Sequence, residues 1–430
     1  MPKIPFHRRI FPLIIIIIFF VVAPILLFYT AGYRWNPKKG QVERNGTVIF
    51  DSTPTGADIS IDGRSIGQKT PITIQDVTPG LHSFSLSKDG YYGWEKSLDV
   101  YPEKVTFING IWLWKKAGSA LLYPSDAVYQ ALSPDGSKLL LASASPTQTV
   151  IYGLNGAIVT SLAFAEEYKP TNDLIWSDNS RYILSGDSGN DSQNWIIDAY
   201  GTNAPMKLLP GDYRWSGTDL VGNDGKTQSV LHTSDYSLAR NPLTENLVDS
   251  IPTAEIRHAS GTNDLVYVSL DQPKRGLVLP EGDWRIDSVS KDRAILRDDH
   301  RWLSLDFNKT VPEYHSADSD RLRPITIKKQ TSYLLINGTE LSVWDPSSEP
   351  ELIQRQSEKI VDAAWHREGT DIFFATEHAV FALGLDARDR RLITQLDTFD
   401  QVRGLAVDGQ RLLILGDKGS ESGVWSLDVE

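Results

Sequence analysis

Three short strings imitate sites that do chemistry, and each departs from its template at the residue that matters. Gly186-Asp187-Ser188-Gly189 has the order of a serine nucleophile turn, but Asn190 stands where a further Gly would follow. Gly225-Lys226-Thr227 has the ending of a phosphate-binding loop, yet Leu220 occupies the place of the leading Gly and no helical pattern follows, so a hairpin turn is expected. Gly419-Ser420-Glu421-Ser422-Gly423 puts a carboxylate where a nucleophile elbow needs a hydroxyl. The eight His are scattered with no His-x-x-x-His pair, and the absence of Cys excludes disulfides, thiolate metal sites and thiol nucleophiles. Ser316-Ala317-Asp318-Ser319-Asp320 offers two alternating carboxylates, which reads as a solvated acidic loop rather than a calcium loop. No metal and no cofactor is expected. With 55 acidic residues, a carboxylate pair suited to glycoside cleavage stays open.

Charge narrows the partners. The net charge is −12, but residues 1–44 carry seven basic side chains against Glu43, a local +6, which leaves −18 on the remainder. A body so acidic repels phosphate backbones, and nucleic acid is not an expected partner.

The amino end reads as an anchor. Ile10 to Tyr29 are twenty residues without a charge, which at about 1.5 Å each match a hydrocarbon core of about 30 Å. The expectation is a cytoplasmic tail over 1–9, a single transmembrane helix over 10–33 that contacts the lipid bilayer, a linker over 34–45, and a body outside the cell membrane. Tyr29, Tyr33 and Trp35 fit an interfacial aromatic belt. Thr30-Ala31-Gly32 is a poor cleavage site, which argues against a removed signal peptide.

Residues 46–115 alternate apolar and polar side chains, as in Ala57, Ile59 and Ile61 against Asp58, Ser60 and Asp62, between turns at Asp62-Gly63, Pro79-Gly80 and Lys88-Asp89-Gly90. About six short strands are expected, packed through Phe50, Phe84, Tyr91, Trp94 and Phe107. The motif Pro54-Thr55-Gly56-Ala57, followed by Ile61-Asp62-Gly63, Thr70-Pro71, Pro79-Gly80-Leu81-His82 and Lys88-Asp89-Gly90-Tyr91, resembles the PEGA domain, with Thr55 in place of the Glu that names it. The resemblance implies a non-catalytic, β-sandwich-like spacer or adhesive module of prokaryotic envelope proteins.

From about residue 119 to 430 a unit of about 40 residues recurs: apolar strand, polar turn, apolar strand, and a closing strand ending in Asp. Aligned on the turn, the equivalent positions are Ser133, Ser177, Ser216, Ser260, Ser290, Lys328, His366 and Ala406, each preceded by an apolar residue. Sheets this small bury both faces only when stacked around an axis, which predicts a β-propeller in an otherwise all-β protein. Eight blades are favoured. The short interval from Ser260 to Ser290 keeps seven open, and a strand near Ser119 to Tyr123 would close the ring. Ser133-Pro134-Asp135-Gly136-Ser137-Lys138-Leu139 resembles the WD40-like repeat of TolB-type propellers.

That architecture gives meaning to four arginines. Arg257 and Arg403 lie three residues before the aligned turn, Arg285 and Arg323 five before it, and odd offsets share a strand face. If that face meets the axis, the acidic body holds a cationic channel mouth suited to a carboxylate or an anionic glycan. Otherwise these arginines are solvated or paired with neighbouring acids. Trp176, Trp215 and Trp365 before the turn, and Trp195, Trp302, Trp344 and Trp425 in closing strands, are expected to pack between blades. The reading is of a membrane-anchored binding or scaffold protein, not an enzyme, whose partner is an envelope protein or a cell-wall polysaccharide; the alternative is an enzyme acting on an envelope glycan.

Overall fold

A computed structural model describes residues 6–30, 32–36, 40–144, 147–163, 174–186, 194–216, 218–224, 226–243, 247–251, 254–259, 262–267, 275–290, 293–298, 300–306, 314–319, 321–328 and 330–430. The Asp187-Ser188-Gly189 string, Ser260, Gly225, Asp320 and Asn190 lie outside them. The chain divides into two compact units, one of residues 1–116 with 386–392 and 430, the other of residues 117–385 with 393–429.

The first unit opens with the helix Phe6–Thr30. Among the described residues, no helix is long and apolar enough to cross a membrane. The single-pass anchor and the cell-membrane localisation drawn from the apolar run are therefore withdrawn. The helix also stops before the expected boundary at 33: Tyr33–Asn36 pairs with Gln41–Arg44 in an antiparallel ribbon, and the Arg44 guanidinium sits 4.8 Å from the Tyr33 ring.

The rest of this unit is two sheets around one core. Gly46–Thr53 is the middle strand of three, antiparallel to Ile72–Val77 and parallel to Val105–Trp112. The second sheet has the order Arg64–Lys69, Asp58–Ile61, Gly80–Ser87, Trp94–Val100. Alternation works as period two requires: Val48 and Phe50 from one sheet meet Ile59, Phe84 and Leu86 from the other, with the Phe50 and Phe84 rings edge-on at 5.6 Å. Phe107 corrects the expected packing set. It is 51% exposed because its strand turns Thr106 and Ile108 inward.

Within the PEGA-like turn, Gly56 takes a left-handed φ of +81°, and Thr70 Oγ1 accepts from the Ala57 N–H at 3.1 Å and meets Ser52 Oγ at 2.7 Å. Thr55 turns its side chain to solvent and offers only its carbonyl, which accepts from Lys88 Nζ at 2.7 Å. The backbone does the work at this position, which explains how Thr replaces Glu without loss of the turn.

The second unit contains, among the described residues, eight four-stranded antiparallel sheets, seven of them made of consecutive strands. Their first strands are Tyr129–Leu132, Leu174–Trp176, Asp212–Ser216, Leu247–Ile251, Arg285–Val289, Arg321–Ile327, Ile360–Trp365 and Gln401–Asp408, here called the inner strands of blades one to eight. The eighth sheet takes its fourth strand, Ala120–Pro124, from before blade one, paired with Glu421–Asp428. Among the described residues, neighbouring blades share a core at six of the eight junctions. Leu139 and Leu141 of blade one join Leu413 and Leu415 of blade eight, while Leu140 and Ile151 on the opposite face join Ile183 and Ile197 of blade two. This is a β-propeller.

The short interval from Ser260 to Ser290 has a simple cause. Ser260 follows the second strand of blade four, Ala254–Ala259, whereas the other aligned positions follow, end or, at Ala406, lie near the end of first strands. No blade lacks a strand on that account.

Candidate functional site

Bulges decide which side chains reach the axis. The inner strands of blades four, five, seven and eight each carry a register shift, between Leu247 and Asp249, Ile286 and Ser288, Ile360 and Asp362, and Val402 and Gly404. An extra residue reverses the alternation beyond it, so counting odd and even offsets back from the turn does not keep residues on one face.

Two aspartates beside these bulges fasten the ring. Asp249 is fully buried; Oδ1 accepts from Arg214 of blade three and Oδ2 from the Ile286 N–H of blade five, both at 2.8 Å. Asp362 repeats the arrangement with Arg323 of blade six at 3.2 Å and the Leu405 N–H of blade eight at 3.2 Å. Each carboxylate thus couples three consecutive blades through charge-assisted bonds. Three tryptophans form a second set of ties to the preceding inner strand: Trp176 Nε1 donates to Ala131 O at 3.2 Å, Trp215 to Ile175 O at 3.0 Å, and Trp365 to Arg323 O at 2.8 Å.

At the end of the ring where the inner strands begin lies a cavity of about 650 Å³. Arg321, Lys359 and Arg403 line it from blades six, seven and eight, with Glu377 from a blade-seven turn, His300 from a blade-five turn and Tyr129 from blade one. Arg403 occupies the bulge of its strand and donates to Asp417 Oδ2 at 2.6 Å and Ser422 Oγ at 2.9 Å. Burial works to raise the Asp417 carboxyl, but hydrogen bonds from Arg403 and Ser422 outweigh it and hold the group below the ordinary carboxylate range. Arg321 donates to Val361 O at 3.1 Å and lies 3.6 Å from Asp362, sharing that carboxylate with Arg323. Among the described residues, Lys359 and Glu377 have no ion-pair partner, and both side chains are exposed.

Of the four arginines expected at the axis, Arg403 lines this cavity and the others have different settings. Arg257 lies on a second strand and pairs with Glu255 at 2.8 Å, two residues away on the same face. Arg285 pairs with Asp283 at 2.9 Å. Arg323 is held by Asp362. The cavity cations that offset counting missed, Arg321 and Lys359, each lie seven residues before their aligned turn positions, Lys328 and His366, so the alignment itself carried their equivalence.

Another bulge residue, Asp287, is open to solvent yet ringed by protein. Loss of solvation pushes its carboxyl upward against the pull of Arg297 and Arg214. Burial likewise raises the Tyr333 phenol, with the Asp287 charge adding to it.

The motif strings play other parts. Glu421 and Ser422 begin the third strand of blade eight. Asp224 accepts from the N–H groups of Lys226 and Thr227 at 2.8 and 2.6 Å, an Asx turn. Among the described residues no group of three or more His, Asp or Glu is arranged to hold a metal ion.

Residues 45–110 match the PEGA domain. No curated protein matches the chain. Solved structures similar to it include the WD40 repeats of RRP9 (11% identity, 74% of this chain and 100% of that one, TM-score 0.46) and the Myceliophteria thermophila Cps50 (Swd1) β-propeller domain (11%, 73% and 99%, 0.43). Kuenenia stuttgartiensis hydrazine synthase is also similar (12% identity, 73% and 97% coverage, TM-score 0.42). The propeller assignment rests on the strand order of the chain itself.

Proposed function

We propose that this protein is a binding or scaffold protein that recognises its partner with the propeller and uses the PEGA domain as a non-catalytic spacer or adhesive unit. The partner class is an envelope protein or a cell-wall polysaccharide, in keeping with the kind of protein in which PEGA modules occur. The observation that carries the reading is the cavity at the channel mouth. A rigid ring holds it open, and the side chains around it are built for contact: cations, a tyrosine, a histidine and aliphatic residues with the single carboxylate Glu377. Hydrolysis of a glycoside needs two carboxylates facing across the bond, and the cavity presents one. Affinity capture by the purified chain, run beside a glycan-turnover panel, tests the choice. Recovery of a protein or wall polymer without turnover supports binding; turnover abolished by one Asp or Glu substitution would establish the enzyme instead.

A further inference from the structure

The charges around the cavity sum to the opposite sign from the body of the chain. Arg403 is matched by Asp417, but Arg321 and Arg323 share the one carboxylate of Asp362, which leaves a positive charge over. Lys359 adds a second, and Glu377 offsets one of the two. The mouth is therefore net positive in a chain whose residues beyond 44 sum to −18. A cationic spot framed by low-dielectric walls focuses the field and draws anions to it even when the far field is repulsive.

The kind of anion follows from what the tryptophans are doing. A sugar ring is recognised by a flat aromatic face laid against it, but Trp176, Trp215 and Trp365 lie with their ring N–H groups bonded to the preceding blade. The cavity itself offers Tyr129 as an aromatic face and otherwise aliphatic side chains such as Val128 and Val361. Aliphatic walls around separated cations suit an extended peptide that alternates carboxylates with small or aliphatic residues.

We infer that the channel mouth binds an acidic peptide segment of a protein partner, with Lys359 and Arg321 receiving its carboxylates and Glu377 opposing them. This rests on the binding reading above. Lys359 reaches the ligand from an exposed strand start, and its removal disturbs no bond among the described residues. Arg321 is already oriented by the Val361 carbonyl, so little side-chain freedom is lost on binding.

The test uses the full chain and fluorescein-labelled hexaglutamate, with hexalysine and an oligogalacturonate of equal charge as comparisons, by fluorescence anisotropy at low and physiological salt. Saturable binding of hexaglutamate that weakens with salt, no saturable binding of hexalysine, and weaker binding of oligogalacturonate are expected. Lys359→Glu should weaken hexaglutamate about fivefold or more, the upper end for a partly exposed ion pair, and Glu377→Gln should tighten it. Lys359→Gln, with an unchanged melting temperature, is the control for folding. Absence of saturable hexaglutamate binding, an affinity untouched by Lys359→Glu, or tighter binding of oligogalacturonate overturns the inference. Affinity capture separates it from the broader reading: a partner captured equally well by the wild-type chain and Lys359→Glu removes the acidic-peptide site and leaves the scaffold role standing.

Discussion

Asp249 is one of two carboxylates that each tie three blades of the ring together. It is fully buried and accepts from a guanidinium on one side and a backbone N–H on the other, so it holds blades three, four and five together. Asp249→Leu removes both acceptors, leaving the Arg214 charge short of a counter-ion and the Ile286 N–H without its partner. Breaking a buried, hydrogen-bonded ion pair by deleting one member costs about 3–5 kcal/mol. For a unit of about 300 residues, unfolding entropy near ~2.1 cal/mol/K per residue gives roughly 0.6 kcal/mol per degree, so the melting temperature should fall by about 5–8 °C. Differential scanning calorimetry of the full chain measures this directly. Arg214→Leu added to Asp249→Leu should recover part of the loss, because the stranded charge goes with it. A shift under about 1 °C, or a double variant whose loss is the simple sum of the singles, would refute the claim that this pair couples the blades.

Further outcomes follow from the same geometry. Trp365→Phe keeps most of the ring's bulk but deletes the bond to Arg323 O, and should cost about 1 kcal/mol in denaturant unfolding. Thr55→Glu should leave stability within about 0.5 kcal/mol, since that side chain points to solvent and the turn uses its carbonyl. Asp397 accepts from Lys418 at 2.8 Å and from the Ser119 N–H at 3.1 Å. Burial works to raise its carboxyl, but those bonds hold it below the ordinary range. A carboxyl depressed on folding adds stability that is complete above its unfolded value near ~3.9 and is lost as pH falls below that towards the folded value. Asp397→Asn should therefore flatten the stability profile over that acid window and change its slope little above pH ~5; an unchanged acid limb counts against the role.

How much could be read from the chain depended on the physical range of each signal. The blades were legible because the turn after an inner strand is local chemistry: in Ser133-Pro134-Asp135-Gly136-Ser137 the Asp135 carboxylate accepts from the Ser137 N–H at 2.9 Å, and Gly136 takes a φ of +67°. Ser177 and Asn179 repeat the design with weaker letters, joined at 2.8 Å. Fourth strands were harder. Met206–Lys207 is two residues long and leaves no periodicity to detect. Blade four slipped by one hairpin because its second strand, not its first, carries the pattern that was aligned. Offset counting could not see that a bulge between Ile286 and Ser288 breaks the alternation next to Arg285 or that Arg323 is held by Asp362 of the next blade, because both are non-local, and Arg257 followed the slipped strand. The apolar amino-terminal run shows the opposite error, in which composition alone suggested a span although, among the described residues, no helix is long and apolar enough to cross a membrane.

The account depends on closure of one ring by the strand Ala120–Pro124, and the absence of native Cys makes that directly measurable. Ala120 lies opposite Ser426 on neighbouring antiparallel strands, where Cα atoms about 4.5–5.5 Å apart suit a disulfide. In the double variant Ala120→Cys/Ser426→Cys, mild oxidation followed by non-reducing electrophoresis and peptide mapping should show near-complete intramolecular cross-linking in the native chain. Two thiols that stay free and alkylate freely under native conditions would contradict the closed propeller and, with it, the channel mouth.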